Sequence, residues 1–298
     1  MGAGHDHGSD NPRRLLAATA LAALFVVIEA GGGWMAHSLA LVADAGHMLA
    51  DTASLGLAWF AAVAARRPSD DRRTYGYHRF QVLAAFVNGA LLIAITAWIV
   101  YEAIGRLFSP LQVHSILMLA VGVLAVLLNL GLLALLHGGD RHNLNVRGAI
   151  LHVIGDLLGA GGAVAAALVI RFTGWVPADP LLSILVAALI LRSAWHLVRE
   201  SVHILLEGTP ADLDPDEIRR ALASGIPAVQ DIHHLHAWSL TENQPMVTLH
   251  ARIAAETDTS GVLDRIHALL AERFGIRHAT VQIEHGSCPD EPDRSNAG

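Results

Sequence analysis

The sequence has no lysine and a single cysteine in 298 residues. Without a second thiol no internal disulfide can form, and Cys288, close to the C-terminus, suits a reducing, cytosolic tail. Charge is also scarce. Only 16% of the residues are charged, against about 25% in an ordinary soluble domain, so this surface cannot face water everywhere. A formal net charge of −7 and a pI near 6.2 leave no basic face, which excludes nucleic acid as a partner.

Apolar residues fill the space that charge leaves, at 53% of the chain with a mean hydropathy of +0.44. They fall in six segments, at residues 15–35, 39–65, 80–105, 113–137, 145–171 and 179–205. Each reaches the ~20 residues that a helix needs to cross a bilayer. The first follows Arg13 and Arg14 as a signal peptide would, but its apolar run is too long and five further segments follow. Arginine placement sets the orientation. Arg66, Arg67, Arg72, Arg73 and Arg79 fill the loop after segment 2, Arg141 and Arg147 lie between segments 4 and 5, and Arg199 ends segment 6. The opposite loops hold little beyond Arg106 and Arg171, so both termini are expected in the cytoplasm of a multi-pass cell (inner) membrane protein.

From Glu207 the composition turns to that of a small soluble domain. Asp214, Pro215, Asp216 and Glu217 carry the N-terminal signals of a short helix through Ala223. Residues 229–240 and 246–253 read as strands, 261–274 as a helix and 278–285 as a last strand. The expected organisation is a disordered tail at 1–12, a six-helix transmembrane domain at 13–206, a cytosolic αββαβ domain at 207–289 and a disordered tail at 290–298.

Two patterns inside the apolar segments carry chemistry. Segment 2 holds His47 and Asp51, and segment 5 holds His152 and Asp156. Residues four apart on a helix share a face, with Cβ atoms ~5–6 Å apart, so each pair can grip one ion. Two facing pairs offer two imidazoles and two carboxylates, a set that fits tetrahedral Zn²⁺. Both pairs begin about eight residues into their segments, and matched depth in two halves is what inverted repeats produce. An ionised Asp at a membrane helix centre costs about 2.5–3.5 kcal/mol, and a metal or a proton offsets that cost. One isolated pair reads equally well as glue between helices; two matched pairs favour a metal site.

Other polar residues have plainer readings. Asn88 and Asn129 suit interhelical hydrogen bonds, Glu29 and Glu102 lie near segment ends where water can reach them, and the Gly31–Gly33 and Gly159–Gly162 clusters suit close helix packing. Of the 18 histidines, several gather in the tail: His233, His234, His236, His250, His267, His278 and His285, with Glu284 and Cys288. Strand alternation puts His234 and His236 on one face and His233 on the other, and a cross-strand metal site of His233, His250 and His285 is feasible.

At these residues the chain resembles the cation diffusion facilitator family, in its zinc-exporter branch. The resembling stretches are 38–51, 75–80, 143–156, 206–210, 233–240 and 278–284, which together reach from segment 2 to the last strand. The resemblance implies a six-helix transport domain, a cytosolic ferredoxin-like domain, a homodimer and zinc–proton antiport. It also implies that His47, Asp51, His152 and Asp156 form the transport site. Members with Asp where this chain has His47 accept a broader range of metals, so His47 looks like the zinc-preferring version. Regulatory zinc in other members uses tail histidines matching His233, His250 and His285, with a bridging carboxylate where this chain has Ser287. A loop site of other members needs histidines where Arg73 and Tyr77 stand, and is not carried over.

The expected activity is therefore efflux of a divalent metal, Zn²⁺ first, against protons, with the bilayer lipid, the metal ion, protons and a second copy as partners. The residues leave the metal open among Zn²⁺, Cd²⁺, Co²⁺, Ni²⁺ and Fe²⁺. Two alternatives stand beside this reading. An intramembrane metal hydrolase would need an open coordination position and a nearby base, for which only Asp44 offers itself. A passive divalent metal channel shares every residue feature of the carrier.

Overall fold

The computed structural model describes residues 12–65, 69–137, 144–255, 257–286 and 288, and within these the side chains of 12–23, 54–55, 57–65, 135–137, 144–149 and 151–152 lie outside the description. The expectations of disorder at 1–12 and 290–298 also fall outside it, apart from Pro12, the first residue of the first helix.

The chain opens with six long helices: α1 (Pro12–Ala36), α2 (Leu39–Ala65), α3 (Phe80–Phe108), α4 (Ser115–His137), α5 (Leu144–Thr173) and α6 (Ala178–Leu205). They follow the six apolar segments closely. Among the described residues, four stretches are long and apolar enough to cross a membrane: Phe80–Phe108, Ser115–Ala134, Val153–Thr173 and Ala178–Leu205. Leu24–Ala36 is a shorter apolar stretch of α1. Many large apolar side chains on these helices point outward, among them Trp98, Leu127, Leu158 and Leu189. That is the inverse of a water-soluble bundle and suits a lipid solvent.

By contacts the chain divides into one unit of residues 1–59 and 87–198 and a second of 60–86 and 199–298. In the first unit α2 takes part in packing at two levels. Its start packs with α1, α4, α5 and α6 through Ala36, Leu41, Met118, Ala163, Ala167 and Ala178. Further along, Ala50 meets Leu92, Ile190 and Ala194 of α3 and α6. Small residues dominate these contacts, as expected where helices associate by close approach rather than by escape from water. At Gly32 a Cβ would meet Val121 at 2.6 Å, so α1 approaches α4 through the absent side chain.

The turn between α1 and α2 is held from a distance. Ser38 donates to the Asp179 carboxylate (2.6 Å), and the backbone amides of Leu39 and Ala40 donate to the same group (2.8 and 3.2 Å). Asp179, at the start of α6 and fully buried, thereby satisfies the orphan amides of α2.

In the second unit the order after α6 is α7 (Pro215–Gly225), β1 (Val229–Ser239), β2 (Pro245–Ile253), α8 (Thr259–Phe274) and β3 (His278–Glu284), the expected αββαβ. Asp214 caps α7 ahead of Pro215, Asp258 caps α8, and Gly275 ends α8 in the left-handed conformation. The sheet order is β1-β2-β3, with β1–β2 antiparallel and β2–β3 parallel. Its core is made by Ile218 and Leu222 of α7, Val262, Ile266 and Leu270 of α8, and Ile232, Val247, Leu249 and Ile253 of the strands.

Candidate metal sites

In the helical unit α2 carries His47 and Asp51 one turn apart, and α5 brings Asp156 to them. The Nε2 of His47 lies 3.5 Å from Asp51 Oδ2 and 3.8 Å from Asp156 Oδ1. Two ligand atoms held about 2.0–2.1 Å from one tetrahedral Zn²⁺ are separated by roughly 3.4 Å, close to both spacings. Asp156 is 9% exposed, and His47 and Asp51 are half-buried. The fourth residue of the expected set, His152, occupies α5 one turn before Asp156, and its side chain lies outside the described residues.

Two further carboxyl groups stand nearby. Asp44, one turn before His47, is buried and packs over α5: a Cβ on Gly159 would sit 3.2 Å from its Oδ1. Glu29 lies beside Asp44 and is fully buried. The expectation that Glu29 reaches interfacial water is thus corrected: α1 turns it inward, toward Asp44 of α2. Asn88 and Asn129 are buried too, and Asn88 Oδ1 has no donor among the described residues.

The tightest group of metal-ligating side chains among the described residues lies in the second unit. Ligand atoms of His233, His250, Glu284 and Cys288 all fall within 4.8 Å of one another. His233 on β1 pairs directly with His250 on β2, and β3 delivers Glu284 from the far side of β2. His233 Nε2 is 3.1 Å from Glu284 Oε2, His250 Nδ1 is 2.9 Å from Glu284 Oε1, and Cys288 Sγ is 3.4 Å from His250 Nδ1. Gln282, two residues earlier on β3, donates to Glu284 Oε1 at 3.0 Å and orients it. Burial pushes the Glu284 carboxyl up, but hydrogen bonds from Cys288 and Gln282 and the charges of His233 and His250 outweigh it, holding the carboxyl below its usual range.

Two readings of the tail histidines change. His285 does not join the group: it follows the end of β3, exposed, and alternation turns it away from the face that Glu284 occupies. Alternation fails on β1 itself. The register shifts between His233 and His236, and His234 takes a positive φ of 46°. This bulge swings the His234 ring to 5.5 Å from His233 and 5.0 Å from His250, so the two neighbours do not occupy opposite faces. His236 is exposed. Glu284 and Cys288 were visible in the sequence as potential ligands, yet nothing local distinguished them from His285.

The loop before α3 is closed by its own contacts. Tyr77 donates to Asp70 (2.9 Å) and receives a hydrogen bond from Arg73 (3.2 Å), whose guanidinium also lies over the Tyr77 ring. The positions where a loop metal site would need histidines are thus occupied by a tyrosine–arginine–aspartate knot.

Comparison with known proteins agrees with this architecture. Residues 15–206 match the cation efflux transmembrane domain and residues 210–286 the cation efflux protein cytoplasmic domain. The chain is 48% identical to the zinc transporter ZitB of Pectobacterium atrosepticum, over 98% of this chain and 91% of that protein. It is 42% identical to the metal cation efflux system protein CzcD of Cupriavidus metallidurans, over 97% and 92%. Against the cadmium, cobalt and zinc/H(+)-K(+) antiporter of Bacillus subtilis it is 43% identical, over 95% and 92%.

Proposed function

The chain belongs to the cation efflux family, and we propose that it exports Zn²⁺ from the cytoplasm in exchange for protons. It is a multi-pass membrane carrier of metal cations and not an enzyme. The observation that carries the finer reading is the position of His47 Nε2 between the carboxylates of Asp51 and Asp156, on two different apolar helices. With His152 of α5 the site becomes two imidazoles and two carboxylates, a set that suits Zn²⁺.

A ligand must shed its proton to bind metal, so zinc and protons compete for the same four groups. On the cytoplasmic side the deprotonated site takes up zinc. Exposed to the more acidic outer side, it is protonated and lets the ion go, and protons are carried inward as the site returns. Rocking of helix bundles about a fixed site provides the alternation. Both termini lie in the cytoplasm of the inner membrane, in keeping with the arginines of the loop before α3. The His233, His250, Glu284 and Cys288 group holds a regulatory zinc in a homodimer, and its occupancy biases the arrangement of the two copies.

Zinc uptake by proteoliposomes tests this directly, with and without an imposed pH gradient. Uptake should rise with the gradient and vanish in Asp51→Ala and Asp156→Ala proteins that still fold and insert. Flux indifferent to the pH gradient would make the protein a passive channel, and full flux in either variant would remove the site.

A further inference from the structure

A cavity of about 470 Å³ lies within the second unit, and none of its lining residues belongs to either metal site. Its walls include Arg72, Tyr75, Arg79, Phe80, Leu205 and Trp238. Phe80 is the first residue of α3 and Leu205 the last of α6, two of the helices long and apolar enough to cross a bilayer. The cavity therefore sits where two spanning helices leave the hydrocarbon, and its aromatic residues are of the kind that gather at that level.

The charges around it are unequally occupied. Arg73 is engaged by Tyr77 and Asp70, and Arg79 by Glu207 at 3.0 Å. Arg72 is exposed, and its guanidinium has no partner among the described residues. The Nε of Arg79 is buried without an acceptor among the described residues. A buried N–H left unmet is costly, and an incoming oxyanion would relieve it. Guanidinium groups are suited to phosphate, and the apolar wall beneath them is suited to the chain end of an amphiphile.

We propose that this cavity binds the head of an anionic phospholipid. The phosphate lies between Arg72 and Arg79, and the start of the acyl chains follows Phe80 and Leu205 into the bilayer. The volume lies within the ~300–1,000 Å³ of ordinary ligand sites, enough for a phosphoglycerol head but not for two whole acyl chains.

The test uses the full-length protein, purified in detergent with mixed phosphatidylglycerol and phosphatidylcholine, and counts retained lipid by native mass spectrometry. One phosphatidylglycerol per chain should be held in preference to phosphatidylcholine. Arg72→Gln should weaken retention roughly fivefold, the value of one arginine near an anionic surface, and Arg72→Gln/Arg79→Gln further. Arg72 is exposed, so its replacement tests binding and not folding. As a second measurement, a spin-labelled phosphatidylglycerol should quench tryptophan fluorescence more in the wild type than in Trp238→Phe. Equal retention of the two lipids, or unchanged retention in both arginine variants, overturns the proposal. Displacement by millimolar glycerol phosphate or inorganic phosphate would make it a site for free phosphate. A shift in the monomer–dimer balance of Arg72→Gln with lipid retention intact would show that a second copy of the chain covers the cavity, and would equally overturn the lipid reading.

Discussion

His233 and His250 are direct partners across the β1–β2 ladder, their ring centroids 5.4 Å apart, and the one buried carboxylate of Glu284 reaches both. Three strands thus converge on a point, with β2 between the other two. Such a cluster does not arise to fill a core. Its polar atoms face one another, and the apolar core of this domain is built from different residues. Imidazole, carboxylate and thiol together are the donor set of a zinc-like ion.

Glu284→Gln and Cys288→Ser should each weaken zinc binding by the tail, while His285→Ala leaves it unchanged. Loss of an outer partner of a ligand already costs about 10–100-fold in metal affinity, so loss of a direct ligand should cost at least that. Competition with a fluorescent chelator, in protein carrying Asp156→Ala, isolates the tail site. Because the folded Glu284 pKa is lowered, its stabilising contribution is complete above the unfolded glutamate value of about 4.3 and disappears as pH falls through the lower folded value. Acid loss of tail zinc well above pH ~4.3 therefore belongs to the other ligands.

His47→Asp should admit more Cd²⁺. Imidazole holds a compact tetrahedral ion through one nitrogen, whereas a further carboxylate binds through one or two oxygens and accepts a larger ion. His47 Nε2 lies 3.5 Å from Asp51 and 3.8 Å from Asp156, so changing it alters the middle of the site rather than its rim. The ratio of Cd²⁺ to Zn²⁺ uptake by the two proteins measures this, and an unaltered ratio removes His47 as a selectivity determinant.

The helices and the αββαβ order were legible because they rest on local patterns. Runs of apolar residues, Asp214 before Pro215 and the alternation of 246–253 each declare themselves within a few residues. So did the i,i+4 pairing of His47 with Asp51. The failures are all non-local or irregular. The bulge at His234 breaks an alternation that the sequence alone has no means of interrupting. Choosing Glu284 and Cys288 over His285 needs the register of β3 against β2 and the return of the chain after it. Burial of Glu29 beside Asp44 depends on how α1 is rotated, and an almost uniformly apolar helix carries little information about that. The cap that Asp179 places on α2 joins residues about 140 apart in the chain.

That cap leads to a stability prediction. Asp179→Ala removes a buried acceptor of three hydrogen bonds and leaves Ser38 and two α2 amides unmet. Hydrogen bonds to a charged group are worth about 1.5–3 kcal/mol, so the loss should be of at least that order. Ser38→Ala, which spares both amide contacts, should cost only about 1 kcal/mol. Thermal unfolding in detergent should rank Asp179→Ala below Ser38→Ala and both below wild type. Zinc flux should fall in the same order, since α2 carries His47 and Asp51. Equal melting temperatures would show that the cap does not hold α2.

Zinc binding to the membrane site should itself release protons. A free imidazole titrates near pH ~6.5, within the cellular range, whereas a free Asp at about 3.9 stays ionised there. Any proton on His47 or His152 must leave before the nitrogen can coordinate, so affinity and pH are linked. Apparent zinc affinity should therefore weaken as pH falls from about 7.5 to 5.5. Protons should appear in weakly buffered solution as zinc is added. The tail would confuse both measurements, so the background protein carries Glu284→Gln and Cys288→Ser. In that background His47→Asn/His152→Asn should lose tight binding and the proton release together, because an amide has no proton to give up in this range. Proton release that survives the double change would move the titrating group elsewhere, with the buried carboxyls of Asp44 and Glu29 as the candidates outside the four-residue set. Zinc affinity flat across the range, with no protons released, would mean that the metal gradient alone drives transport.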